Sequence, residues 1–379
     1  MPECRSIDDV LAWLRADVVQ FRDMADLLTG LAERLSKAGL PLEAMTMDIR
    51  TLHPLMAGAV FSWRRGSRAA LETPRFHDPF DPEAISPPMP TLSEAPLTEP
   101  REGVSEVLPL AIGSSDGSQH GLTLVSWREG GFTDAEVAGL KDVAHALFAP
   151  LEVLVLRHMT RTLMTTYLGQ RTADRVLHGA VRRGSCESVH AVLLYSDLRG
   201  FTAFSQGRSG EAITALLNSH FERLVAPIKA FGGEVLKFMG DGLLAIFPVD
   251  MAGSAGRACS QAVKSVRAAR SGMASLNGER QGRGEMPLEF GVALHLGEVM
   301  YGNIGAPDRL DFTVIGPAVN LASRLEALCK PLDCPVLVSS AFEDACDEAM
   351  APLGGHRLND IADTIEVFTL AEFVAPEGS

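Results

Sequence analysis

Apolar side chains recur at helical spacing over residues 6–38, at Val10, Leu11, Leu14, Val18, Phe21, Leu27, Leu28, Leu31 and Leu35. They predict a helix with one broad apolar face, started by Ser6 with Asp8 and Asp9. Residues 45–49 and 59–63 then read as short strands, and the proline-rich stretch 73–100 as a long loop. Residues 107–112 and 122–127 are two more strand candidates. Thr133 and Glu136 form a capping-box pattern that opens a helix running to about Tyr167. Residues 151–184 read as a helical connector, broken near Gly169 and closed by Arg182, Arg183 and Gly184.

From His190 the pattern becomes an alternation of strands and helices. Residues 192–196 form a buried strand and residues 211–228 an amphipathic helix. Residues 233–239 and 243–247 pair around Gly240-Asp241-Gly242. Residues 290–296 and 299–304 read as a second pair, followed by a helix over about 318–328. One sheet covered by helices satisfies that order, an α/β or α+β sandwich.

Composition narrows the function classes. At 379 residues the chain suits two domains and a connector, and 46% hydrophobic residues suffice for both cores. A net charge of −14 disfavours nonspecific nucleic-acid and anionic-membrane partners, which need a basic surface. The start of the chain does not resemble a signal peptide, and the longest apolar stretch, 147–156, is interrupted by Pro150 and Glu152. A soluble cytoplasmic protein is expected. The six cysteines include no CxxC pair and read as thiols in a reducing compartment.

Three segments carry candidate chemistry. Asp197 ends the buried strand, where an unpaired charge is costly and a divalent cation would offset the cost; a helix-capping role is the alternative. Gly200 after it lets backbone amides turn toward an anion. Asp241 sits in a Gly-Asp-Gly turn, common in plain hairpins, but it is a second carboxylate in the same one-sheet domain. Two carboxylates holding two divalent ions suit in-line attack on a phosphate. Asn320 and Arg324, four apart, share a helix face. An arginine matches equatorial phosphate oxygens, although a surface ion pair with Glu326 would also account for it.

In order and wording, these segments closely resemble the catalytic domain of class III nucleotidyl cyclases over residues 188–373. The resemblance implies a ferredoxin-like core and a homodimer with active sites at its interface. It implies that Asp197 and Asp241, with the Leu198 backbone, bind two Mg2+ or Mn2+ ions per site. Leu198, Arg199, Gly200, Phe201 and Thr202 would form the triphosphate-binding turn. Lys237 and Thr313 fall where the family reads adenine, Asn320 where it orients the ribose, and Arg324 where it stabilises the transition state. The acids would come from one subunit and the other four from its mate. Arg309 is a further candidate phosphate contact. Where the family often has a triphosphate-binding lysine, Asn359 stands here, with Arg357 nearby. ATP is the implied substrate; the alternatives are a guanylate cyclase and a silent nucleotide-binding module. Thr313 places the chain with the threonine-bearing subclass, several of whose members respond to bicarbonate. The element order of residues 1–150 resembles a GAF- or PAS-like α/β sensory domain, read either as a sensor of a small-molecule effector that His53, Trp63 and His120 could contact or as a dimerisation and docking module without a ligand. Residues 151–187 would be a linker or transducer.

Overall fold

The computed structural model describes residues 6–16, 21–50, 56–76, 105–115, 117, 119–358 and 364–374. His53, Asn359, Asp360 and residues 77–100 of the proline-rich stretch lie outside them. The chain divides into two compact units, Met1–Leu163 and Met164–Ser379.

The first unit contains α1 (Ile7–Ala16), α2 (Met24–Lys37), β1 (Leu42–Arg50), β2 (Met56–Arg64), β3 (Leu71–Phe76), β4 (Glu106–Gly113), β5 (Gln119–Ser126) and α3 (Asp134–Ala146). The boundary between the units falls inside α4 (Phe148–Leu168). The single helix expected over 6–38 is two. The Asp23 side chain accepts the Asp26 amide and starts α2 afresh, while Phe21 packs edge-on against Trp13 at 5.0 Å. Leu27, Leu28, Leu31 and Leu35 of α2 are fully buried, each stabilising by roughly 1.5–3 kcal/mol.

The antiparallel sheet has the order β3-β2-β1-β5-β4, and its central strand β1 is buried along most of its length. The proline-rich loop begins later than expected, because residues 73–76 belong to β3. As an edge strand, β3 tolerates the missing amide of Pro74. The capping box forms as expected: the Glu136 amide donates to Thr133 Oγ1 and the Thr133 amide to Glu136 Oε2.

The second unit contains α5 (Gln170–Leu177), β6 (Cys186–Leu198), α6 (Phe201–Ser205), α7 (Gly210–Ala230), β7 (Glu234–Met239), β8 (Gly242–Pro248), α8 (Val249–Ala252) and α9 (Ala255–Gly282). It continues with β9 (Phe290–Ala306), β10 (Arg309–Ile315), α10 (Pro317–Ala327), β11 (Val336–Ser339), α11 (Ser340–Glu343), β12 (Met350–Arg357) and β13 (Thr364–Leu370). The order β12-β13-β11-β9-β6-β8-β7 contains a β-α-β-β-α-β unit of ferredoxin-like kind, in which β6, α7, β7, β8, α9 and β9 follow one another.

Both sheet faces are covered, so β8 is buried at every position and reads as an unbroken apolar run. Val192, Leu194, Leu243, Ala245 and Phe247 pack with α7 and α9. Ala191, Leu193, Leu244 and Ile246 share the opposite cluster with Ala318 and Ala322 of α10.

The pair expected over 290–304 is instead one strand, β9, and its hairpin partner is β10. β9 continues through Gly297 because β6 pairs with it all the way from Cys186↔Gly302 to Leu198↔Phe290. The register also explains how α10 fits. Gly291, Ala293, His295 and Gly297 alternate onto one face of β9. A Cβ on Gly291 would lie 2.4 Å from Glu326 Oε1, and one on Gly297 2.9 Å from the Ala318 side chain. Small residues let α10 lie close to the sheet.

Candidate active site

β6 delivers Asp197 at its end, on the face that also carries Ala191, Leu193 and Tyr195. The β7–β8 hairpin delivers Asp241 through a two-residue turn in which Gly240, at φ 66°, takes the left-handed position. Gly242 leaves room for the approach, since a Cβ there would sit 2.8 Å from the Ser196 carbonyl and 3.0 Å from Asp197 Oδ1.

The two carboxyls meet. Burial first, and then the Asp241 carboxyl, push Asp197 up to about 6. Among the described residues no lysine or arginine forms an ion pair with either. Two oxygen-donor groups held together without a cation are a donor set that suits a hard divalent ion. The helix-capping alternative for Asp197 fails, because Gly200 is the N-cap of α6. Gly200 is left-handed at φ 74°, and Phe201 and Thr202 open the helix behind it.

The Arg199 side chain leaves this turn. Its guanidinium donates to the carbonyls of Cys329 and Cys334, both at 2.9 Å, and pairs with Asp333 at 3.4 Å. It clamps the turn to the segment after α10. Glu326 of α10 is a third carboxyl in the neighbourhood, raised to about 7 mainly by burial and then by Asp197. The sequence reading treated it only as a partner for Arg324.

Lys237 of β7 is tethered: its Nζ lies 2.6 Å from Asp311 Oδ2 of β10. Thr313, two residues along β10 from Asp311, is 7% exposed, and its hydroxyl has no hydrogen-bond partner among the described residues. Asp311 had no role in the sequence pattern, since only the β9–β10 hairpin brings it to β7. Arg309 is exposed at the first position of β10.

α10 starts at Pro317 after Gly316, whose φ of 144° accommodates the sharp entry. Its buried face is Ala318, Ala322 and Leu325, which leaves Asn320 and Arg324 on the flank. Both residues line two clefts. One, of about 470 Å³, also contains Ser323, Pro331 and Arg357; the other, of about 710 Å³, contains His295, Glu298 and Ile365. Neither is lined by Asp197, Asp241, Lys237 or Thr313.

In the first unit, Trp63 and His120 are 4% and 2% exposed. Trp63 belongs to the apolar core, and the Arg50 amide donates to His120 Nδ1. Among the described residues, no helix is long and apolar enough to cross a membrane.

Residues 185–345 match the family model of the adenylate and guanylate cyclase catalytic domain. Adenylate cyclase 1 of Rhizobium meliloti is 28% identical over 185 residues, covering 48% of this chain and 27% of that protein. An adenylate cyclase of Anabaena cylindrica is 31% identical over 162 residues, covering 42% and 31%. The chain therefore spans less than a third of the length of these curated relatives. A solved structure of a bacterial light-regulated adenylyl cyclase shares the fold with a TM-score of 0.50 and 20% identity, covering 70% of this chain and 86% of that one.

Proposed function

The chain belongs to the class III adenylate and guanylate cyclase family through the catalytic domain at residues 185–345, and from that premise we propose that it converts ATP to 3′,5′-cyclic AMP and pyrophosphate. The observation that carries the choice of base is the Lys237–Asp311 pair beside the partnerless Thr313 hydroxyl. Adenine offers an acceptor at N1 and a donor at N6, which an ammonium and a hydroxyl oxygen complement; guanine reverses that edge.

The active unit in this reading is a twofold dimer. Asp197 and Asp241 of one protomer face Lys237, Thr313, Asn320 and Arg324 of its partner. Asn320 orients the ribose so that its 3′-oxygen lies in line with the α-phosphorus. Arg324 offsets the charge that develops on the equatorial oxygens as pyrophosphate leaves. Backbone amides over Leu198, Arg199, Gly200, Phe201 and Thr202 cradle the triphosphate, and Arg357, which shares a cleft with Arg324, adds a cation. Asp197, Asp241 and the Leu198 carbonyl would hold two Mg2+ or Mn2+ ions, which when bound lower the pKa of the 3′-hydroxyl and neutralise phosphate charge. Residues 1–150 are read as a GAF- or PAS-like regulatory module, for which their five-stranded antiparallel sheet is the support. Residues 151–187 would transmit its state.

The test is product analysis by mass spectrometry with ATP or GTP and either metal. Cyclic AMP is expected, and its loss in Lys237→Glu. Cyclic GMP as the main product sinks the base assignment, and nucleotide binding without any product identifies a silent module. Bicarbonate titrated at fixed pH should raise the rate if the threonine-bearing subclass carries its regulation here; a flat response ends that idea.

A further inference from the structure

The strand beneath α10 has one large polar side chain where every alternate neighbour is small. On the helix-facing side of β9 stand Gly291, Ala293, His295 and Gly297. His295 is 7% exposed. A buried imidazole in such a row costs desolvation and packs no better than an aliphatic residue, so its hydrogen bonds explain it.

One ring nitrogen is fixed from below. His295 Nδ1 lies 2.7 Å from the Ser339 hydroxyl. Ser339 Oγ already accepts the Phe342 amide as the N-cap of α11, and the hydroxyl has no other acceptor among the described residues. Its proton therefore goes to Nδ1, which leaves the ring proton on Nε2. Burial holds the imidazole neutral by pushing its pKa down to about 4, so that tautomer persists at neutral pH.

The other nitrogen lies beside Gly297. A Cβ built on Gly297 would lie 2.9 Å from His295 Nε2 and equally close to the Ala318 side chain, which places that nitrogen over Gly297. Both residues line the 710 Å³ cleft, with Asn320 and Arg324. No hydrogen bond engages Nε2 among the described residues. A donor aimed into the cleft of the ribose and phosphate residues, on a rigid central strand, is ready for an oxygen.

We propose that His295 is a substrate-positioning residue whose Nε2–H donates to a ribose or phosphate oxygen of the nucleotide held by Asn320 and Arg324. Ser339 acts through it, as the residue that fixes its tautomer. This rests on the cyclase reading above, and the experiment separates the two.

Steady-state kinetics with ATP would be measured for the full chain and for His295→Asn, His295→Gln and His295→Leu, with thermal unfolding of each. Asn keeps a partner for Ser339 but falls short of the cleft, whereas Gln can carry a donor to the Nε2 position. KM for His295→Asn should rise about tenfold, the worth of one hydrogen bond to a charged oxygen, with a smaller change in kcat. His295→Gln should recover most of that loss, although its melting temperature is no higher than that of Asn. Equal KM values in wild type and His295→Asn overturn the inference alone. So does a loss in KM that follows melting temperature across the three variants. A wild-type chain that neither binds nor turns over ATP or GTP overturns this inference and the cyclase reading together.

Discussion

The two units bury apolar side chains to similar depth but differ in the carboxyls they bury. In the first unit, the carboxyl most affected by its surroundings is Glu136, held below the usual range by hydrogen bonds from Arg128 and Thr133. There folding and electrostatics agree. In the second unit Glu285 and Glu372 are likewise held down by Arg283 and Arg267, but the more deeply buried Asp197, Glu234 and Glu326 are pushed upward, in each case first by burial. Such a cost is not a way to stabilise a fold, and perturbed groups of this kind concentrate at functional sites. The first unit is organised to persist and the second to hold something.

Removing chemistry from the second unit should produce the largest effect. Asp197→Ala and Arg324→Ala should each lower the cyclisation rate by about a thousandfold or more. Mixed in equal amounts and allowed to exchange subunits, the two inactive variants should recover about a quarter of wild-type activity, because half the dimers then own one intact site. No recovery, with exchange verified, would break the interfacial arrangement. In the first unit Leu31→Ala should cost about 2–5 kcal/mol of stability through the cavity it leaves, without moving KM for ATP. Denaturant titration and kinetics on the same sample check both halves of that statement.

A smaller effect sharpens the contrast. A carboxyl raised above its ordinary value contributes fully below that value and loses its contribution as pH rises through the shifted one. For Asp197 the window runs from about 4 to about 6. In chelator, Asp197→Asn should therefore match wild type in melting temperature near pH 4. It should exceed it at pH 8, by about 1 kcal/mol after discounting for partial exposure. Excess Mg2+ should erase the difference.

Element types and the site's motifs were legible where local chemistry is decisive. Thr133 and Glu136 announced their capping box, and Gly240 the turn that presents Asp241. The limits of strand and helix were less so. Gly297 looked like a turn between two strands, because its absent side chain answers to Ala318 and not to a bend. Pro74 looked like a loop because edge position in a sheet is a tertiary fact. Long-range pairings were invisible for the same reason. Asp311 reaches Lys237 only through the β9–β10 hairpin, and Ser339 reaches His295 only because β11 lies parallel to β9. Yet the small residues alternating with His295 were a readable signal, since a helix needs such a groove to settle on a sheet.

In the proposed reading, the tether between Lys237 and Asp311 changes what recognition of a base must achieve. An unattached ammonium would welcome any passing acceptor; this one already commits one of its donors to Asp311, so a nucleobase must join an existing partnership through the donors that remain. Discrimination then depends on whether the newcomer can be added without evicting Asp311, a stricter entrance condition than attraction alone would set.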